Sequence, residues 1–167
     1  MKSCILLILS FFIAQAAMTQ SGSFPEKCSG TWQGHLMIYS NGNIKDSVES
    51  RFTVEKLGDS SWIWRTEYAG KEPIVKDYIL RLQDASTGHY VIDEKDGIEL
   101  SAHLVGNTLY SMFEVEGKVL TSTYRWSKHQ IEFEITFGIP TDPNKDMPAN
   151  VKNYHISTVQ KAVLKKI

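Results

Sequence analysis

EKDGIELSAHLVGNTLYSMFEVEGKVLTSTYRWSKHQIEFEITF, running from Glu94 to Phe137, decides the fold. Apolar and polar residues alternate along it, and the breaks between the alternating runs have lengths that set strand register. A two-residue turn at Gly106-Asn107 pairs Leu104 with Leu109, Ala102 with Ser111 and Leu100 with Phe113. A second, at Glu116-Gly117, pairs Phe113 with Leu120, Ser111 with Ser122 and Leu109 with Tyr124. A longer loop from Ser127 to Gln130 sets Trp126 against Ile131 and Tyr124 against Phe133, while Lys95-Asp96-Gly97 puts Tyr90 and Ile92 opposite Ala102 and Leu100. Side chains alternate with period 2, so a slip of one residue at any turn would mix the two faces. They stay unmixed through all these strands. The stretch is an antiparallel meander with one apolar, aromatic face, and it is expected to curl into a barrel around that face.

The flanking sequence extends the same inward set. Phe52 and Val54 face Trp62 and Trp64 across Gly58-Asp59-Ser60, and Tyr68 and Tyr78 meet across the Pro73 turn, with Leu80 and Leu82 following. Strands are predicted over 31–39, 48–57, 61–68, 75–83, 88–94, 98–105, 108–116, 118–126, 130–138 and 151–163. The interruption from Gly138 to Asn150 carries Pro140, Pro143 and Pro148, which exclude helix and central strand. It reads as a lid over a barrel mouth or as a long crossing. The tail from Val151 fits helix poorly. Its density of Tyr, Ile, Thr and Val favours a strand with Tyr154, Ile156 and Thr158 on one face, turned inward. Pairing with the first strand would close the barrel and remove its exposed edges. The expected fold is all-β: an antiparallel up-and-down meander closed into a ten-stranded barrel. The outward set then holds Arg51, Arg65, Arg81 and Arg125 with Glu55, Glu67, Asp77, Glu99, Glu114, Glu132 and Glu134; of the basic residues only Lys56 and Lys118 come near the rim of the interior.

The first residues are set apart. Lys2 precedes an apolar run from Cys4 to Ala14, and Ala14-Gln15-Ala16 has the small residues a signal peptidase reads, so residues 1–17 are expected to be a cleaved signal peptide. Spanning a membrane takes about 20 apolar residues, more than this run has. The expectation is a secreted or periplasmic protein without stable membrane insertion, its single barrel domain covering 24–167. Cleavage leaves Cys28 as the sole cysteine, so no intramolecular disulfide forms, and a structural role for that thiol is favoured over a reactive one. No Asn-x-Ser/Thr sequon occurs, which favours a bacterial envelope over a eukaryotic secretory route. The formal charge is −1, and the charges alternate along the strands instead of forming a basic stripe. Nucleic acid is therefore not an expected partner. Oligomeric state is left open.

Gly30-Thr31-Trp32-Gln33-Gly34 on the first strand, followed by an antiparallel meander, resembles the Gly-x-Trp signature of lipocalin-like, or calycin, barrels. The resemblance implies that Trp32 plugs the closed end. The segment from Ser40 to Ser47 is too short for the helical portal of fatty-acid-binding proteins, so the architecture is most similar to helix-poor, ten-stranded nitrobindin-like barrels. That likeness implies haem as a possible cofactor, with His155 on the last strand as the axial-ligand candidate. Its neighbours Tyr154 and Ile156 read as inward, however, which sends His155 outside. His35, His89, His103 and His129 fall on the outer face or in a loop.

The expected binding surface is the aromatic interior, with Trp62, Trp64, Tyr68, Tyr78, Tyr90, Phe113, Tyr124, Trp126 and Phe133 supplying apolar walls and Ser111 and Ser122 a few polar points. A barrel wider than eight strands is hard to fill with side chains alone, so a pocket is favoured over a solid core. The expected function is to bind a small hydrophobic or mildly polar ligand. The alternatives are a haem protein and a filled barrel that serves as a structural or interaction module. A carboxylate clamp is disfavoured, because burying an unpaired carboxylate costs several kcal/mol and no arginine faces inward. The ligand should be neutral or keep its charge at the mouth. No zinc-ligand cluster, Gly-x-Ser-x-Gly, Cys–His dyad or inward carboxylate pair is evident, so no metal site and no catalytic residue is assigned. Asp93, Glu94 and Asp96 read as turn chemistry.

Overall fold

In the computed structural model, which describes residues 22–141 and 151–167, a short helix α1 (Phe24–Lys27) precedes ten strands. These are β1 (Gly30–Ser40), β2 (Asn43–Gly58), β3 (Ser61–Ala69), β4 (Ile74–Asp84) and β5 (His89–Asp93), then β6 (Glu99–Val105), β7 (Thr108–Val115), β8 (Lys118–Ser127), β9 (Gln130–Pro140) and β10 (Tyr154–Lys166). Each strand pairs antiparallel with its sequence neighbour, and β10 pairs with β1 to close the barrel. The expected signal peptide, and most of the proline-rich connection read as a lid or crossing, lie outside the described residues.

The meander has the register that its turn lengths dictate. Ala102 faces Ser111, Leu109 faces Tyr124, Phe113 faces Leu120 and Tyr124 faces Phe133. Tight turns make this possible. Glu116 and Gly117 sit at φ 50 and 74, the two left-handed positions that let a two-residue hairpin follow the strand twist. Close packing of β1 on β10 demands Gly34, where a Cβ would collide with the Val163 carbonyl oxygen.

Four features depart from expectation. Val54 faces Trp64 as expected, but Phe52 faces Thr66 and Trp62 stands opposite Lys56, with a bulge between Lys56 and Gly58 at the loop end of the β2–β3 hairpin. Tyr68 stands opposite Ile74, not Tyr78, which faces Trp64. A second bulge between Ile156 and Thr158 inserts a residue into β10 and reverses its alternation. Gln160, Ala162 and Leu164 keep the inward face, while Ile156, expected inside, is 56% exposed. Finally, β9 continues through Pro140, which pairs with Tyr154. By then β9 has run past the last β8 partner at Val119, and the Thr141 N–H donates to Asn153 O on the β10 side at 3.0 Å. The missing proline N–H therefore breaks no ladder bond.

Alternate turns of an up-and-down barrel fall at alternate ends. One end carries α1, the loops after β2, β4, β6 and β8, and the C-terminus. The other carries the loops after β1, β3, β5 and β7. The outer face holds all four arginines, as expected, and there Arg65, Arg81 and Arg125 form exposed or half-buried ion pairs such as Arg65–Asp77 at 2.7 Å, as does Lys161 with Glu134 at 2.9 Å. Such pairs each contribute little to stability.

Candidate functional site: an aromatic-floored cavity in the open half of the barrel

The barrel is filled at the end bearing α1 and open at the other. Ser23-Phe24-Pro25-Glu26 starts the helix, where the Ser23 N–H donates to Glu26 Oε2 at 2.7 Å and Glu26 pairs with Lys56 of β2 at 3.6 Å. The helix drives Phe24, Pro25 and Cys28 into the barrel end. Trp32 lies there too, 1% exposed, its indole N–H donating to the Cys28 carbonyl at 2.7 Å. Burial pushes the Cys28 thiol up to about 12, so it stays protonated and inert.

Above the plug, aromatic rings are stacked into a floor. Phe24 meets Trp64 at 6.2 Å; Trp64 meets Phe52 and Tyr124 edge-on at 4.8 and 5.1 Å; Phe52 stacks on Tyr124 at 5.3 Å; and Tyr124 leads to Phe133 at 4.8 Å. Such contacts stabilise beyond simple area burial. Beyond the floor lies a cavity of about 510 Å³. Its aliphatic wall includes Leu36, Ile38, Val48, Ile92, Leu100, Leu120 and Ile135, and its aromatic wall Phe113, Phe133, Phe137, Tyr68, Tyr78 and Tyr124. Thr66, Ser122 and Gln160 are the neutral polar points, and Glu72, Lys76 and Glu94 are the charged ones.

Of the interior residues expected from the sequence, Tyr68, Tyr78, Phe113, Ser122, Tyr124 and Phe133 come together on the cavity wall. Trp62, Trp64, Tyr90, Ser111 and Trp126 do not. They face inward but sit on the halves of their strands nearest the plugged end, within or against the packed core. Ser111 is further occupied by donating to the Ser101 carbonyl at 2.7 Å. Alternation tells which face a residue takes but not its height along the barrel, and the order of the turns carries that second coordinate.

Three charged wall residues escaped the sequence analysis. Lys76 shares a face with Tyr78, two residues on in β4, so parity alone places it inward. Lys56, opposite the inward Trp62, and Lys118, beside the β7–β8 turn, stay near the barrel rims, and of the three lysines only Lys76 lines the cavity. Glu94, read as turn chemistry, follows the end of β5 on the cavity side, and Glu72 reaches the wall from the β3–β4 loop. Burial pushes the Tyr78 phenol up and the Glu94 carboxylate adds to this, while burial and then the neighbouring phenols Tyr68 and Tyr78 do the same for Tyr124. All three tyrosines are therefore neutral hydroxyls near neutral pH.

No protein-family model and no curated protein matches the chain. Among solved structures, the barrel is similar to the S-type phycobiliprotein lyase from Guillardia theta, with a TM-score of 0.63 at 9% identity over 86% of this chain and 90% of that one. The fold is a lipocalin-like, calycin-type barrel. Weaker likenesses, both at a TM-score of 0.41, are to mFAP2b bound to DFHBI (10% identity, 87% of this chain and 100% of that) and to a variant of the fluorescent protein UnaG (12% identity, 85% and 97%). Haem would need an axial ligand in the cavity of this calycin-type barrel. Among the described residues no histidine, cysteine or methionine lines it; His155, expected outside, is turned by the β10 bulge to the inward side opposite Ile139, where it stands exposed.

Proposed function

We propose that this protein is a non-catalytic carrier or sensor that holds a small apolar or mildly polar molecule in the open half of its barrel. The observation that carries this reading is the cavity of about 510 Å³ behind an aromatic floor. Its volume lies within the roughly 300–1,000 Å³ of small-molecule sites, and its make-up, apolar walls with a few convergent polar groups, is the usual one. The three neutral phenols give such a ligand hydrogen-bond partners without imposing a charge. The leader-like sequence before the barrel supports an exported location, where an apolar molecule needs a carrier through water.

Extraction of the purified protein with organic solvent, followed by mass spectrometry, tests this directly, together with titration by uncharged hydrophobic dyes. Trp64 belongs to the floor, in contact with Tyr124 of the cavity wall, so a bound dye should quench tryptophan emission. The expected result is a saturable, stoichiometric change that Phe113→Trp, which fills the cavity from its wall, abolishes. If no extract and no dye gives a saturable signal, the barrel is a scaffold and the binding function is wrong.

A further inference from the structure

We propose that the cavity selects an amphiphile whose polar end is a cationic amine, seated against the Tyr78 ring with Glu94 as its counter-ion. This rests on the binding function above and names the class of molecule bound. The charges on the wall carry it. Glu72 and Glu94 outnumber Lys76, so the charged residues lining the cavity are net negative among the described residues. Glu94 is half-buried, and the cations near it are directed elsewhere: its chain neighbour Lys95 reaches out to Asp77 at 2.7 Å, and Asp77 also holds Arg65. Among the described residues no base pairs with Glu94. A half-buried carboxylate gains most from a partner that arrives with its own positive charge.

The Tyr78 ring supplies the second contact. The Lys76 ammonium already lies 6.0 Å from its centroid, at the limit where a ring face attracts a cation. That lysine is exposed on a flexible stem and can give way to a ligand amine approaching from the cavity. The apolar tail would then run down between Phe113, Leu120 and Phe133 to the floor. A carboxylate ligand in the same pose would meet Glu94 at close range, with only the exposed Lys76 to offset it. An alcohol would find the phenols but no charge to pair.

Decylamine, decanol and decanoate share one tail and differ only in the polar end. Titrating each into the full-length protein near neutral pH and at low salt, by calorimetry and tryptophan emission, separates the cases. Decylamine should bind about tenfold more tightly than decanol, with decanoate the weakest. Glu94→Gln should collapse the decylamine-to-decanol affinity ratio towards one, with the thermal midpoint recorded to confirm folding. Lys76→Gln, at an exposed position, should tighten decylamine and weaken decanoate. Equal affinities for amine and alcohol, or decanoate binding best, would overturn the amine assignment while leaving the binding function intact. If none of the three binds, while a dye still does, the amine assignment falls alone; if nothing binds at all, both fall together.

Discussion

The two halves of this barrel are built from the same strands and the same alternating pattern, yet one is solid and the other hollow. Near α1 the inward positions carry Trp32, Phe52, Trp62, Trp64 and Tyr90, all nearly inaccessible, and the helix adds Phe24 and Cys28 from below. At the other end the inward positions carry mainly leucine, isoleucine, phenylalanine and tyrosine without any element laid across them among the described residues. The closed sheet has the same ring of ten strands throughout. What differs is the size of the side chains and the presence of a plug. A ten-stranded ring is too wide for aliphatic side chains to meet at its axis, whereas indoles and a helix can bridge it. Filling one end is thus what permits the other to stay open, since the solid half supplies the packing on which a barrel without disulfides depends.

Substitutions that treat the two halves alike should give unlike results. The largest effect is expected in the solid half: Phe52→Ala removes a fully buried ring held between Trp64 and Tyr124. It should cost about 3–5 kcal/mol in denaturant unfolding. Phe133→Ala, on the cavity wall, should cost only about 2 kcal/mol, because the ring already borders open space and the new void merges with it. Its stronger effect should be on dye affinity. Equal costs for the two would mean that the open half is packed after all.

Alkaline pH separates the halves next. An unfolded thiol ionises near ~8.5, but Cys28 in the plug does so only at about 12. Across that window the native state keeps a proton that the unfolded chain has lost. Stability should therefore be flat below the unfolded value and fall by about 1.4 kcal/mol per pH unit above it. Above ~10 the raised phenols of Tyr68 and Tyr90 should steepen the loss. Cys28→Ala should flatten the first part of the curve and leave the second. If wild type and variant follow one curve, the thiol is not sealed by the plug.

Smaller effects sharpen the picture. Tyr124→Phe should change stability by about 1 kcal/mol or less, since the ring packing survives and one hydroxyl is lost, yet should alter the affinity of hydrogen-bonding ligands because that hydroxyl belongs to the cavity. Arg125→Ala, one residue on and outside, should fall within about 0.5 kcal/mol in thermal or denaturant unfolding. Its side chain is 56% exposed and only 4.0 Å from Glu132 at its nearest. A severe Arg125→Ala with a harmless Tyr124→Phe would mean that the faces are exchanged.

Much of the barrel was legible because a hairpin is local. Gly106-Asn107 and Glu116-Gly117 fix which residue stands opposite which, and period-2 alternation carries that choice along the strands, so Leu109, Tyr124 and Phe133 could be aligned without any long-range information. The helix was legible in principle, from Ser23 and Glu26 in capping-box spacing around Pro25, but it is so short that periodicity offers no signal. The bulges at Leu57 and Ser157 had no such signature. An extra residue leaves composition unchanged and shows itself only when the partner strand is in place, which is why Ile156 was assigned to the wrong face.

By itself the sequence determined an all-β meander, most of its register and the exclusion of arginine from the interior, because these depend on neighbours a few residues apart. Tertiary structure decided the height of each inward residue along the barrel, and so separated Trp62, Trp64, Tyr90, Ser111 and Trp126 from the cavity. It also brought Glu94, just after β5, to the same cavity wall as Tyr78 of β4, and Glu72 and Lys76 with them. Those placements follow from closing β10 onto β1 and from the twist and tilt that closure imposes on every strand, and no single hairpin contains them.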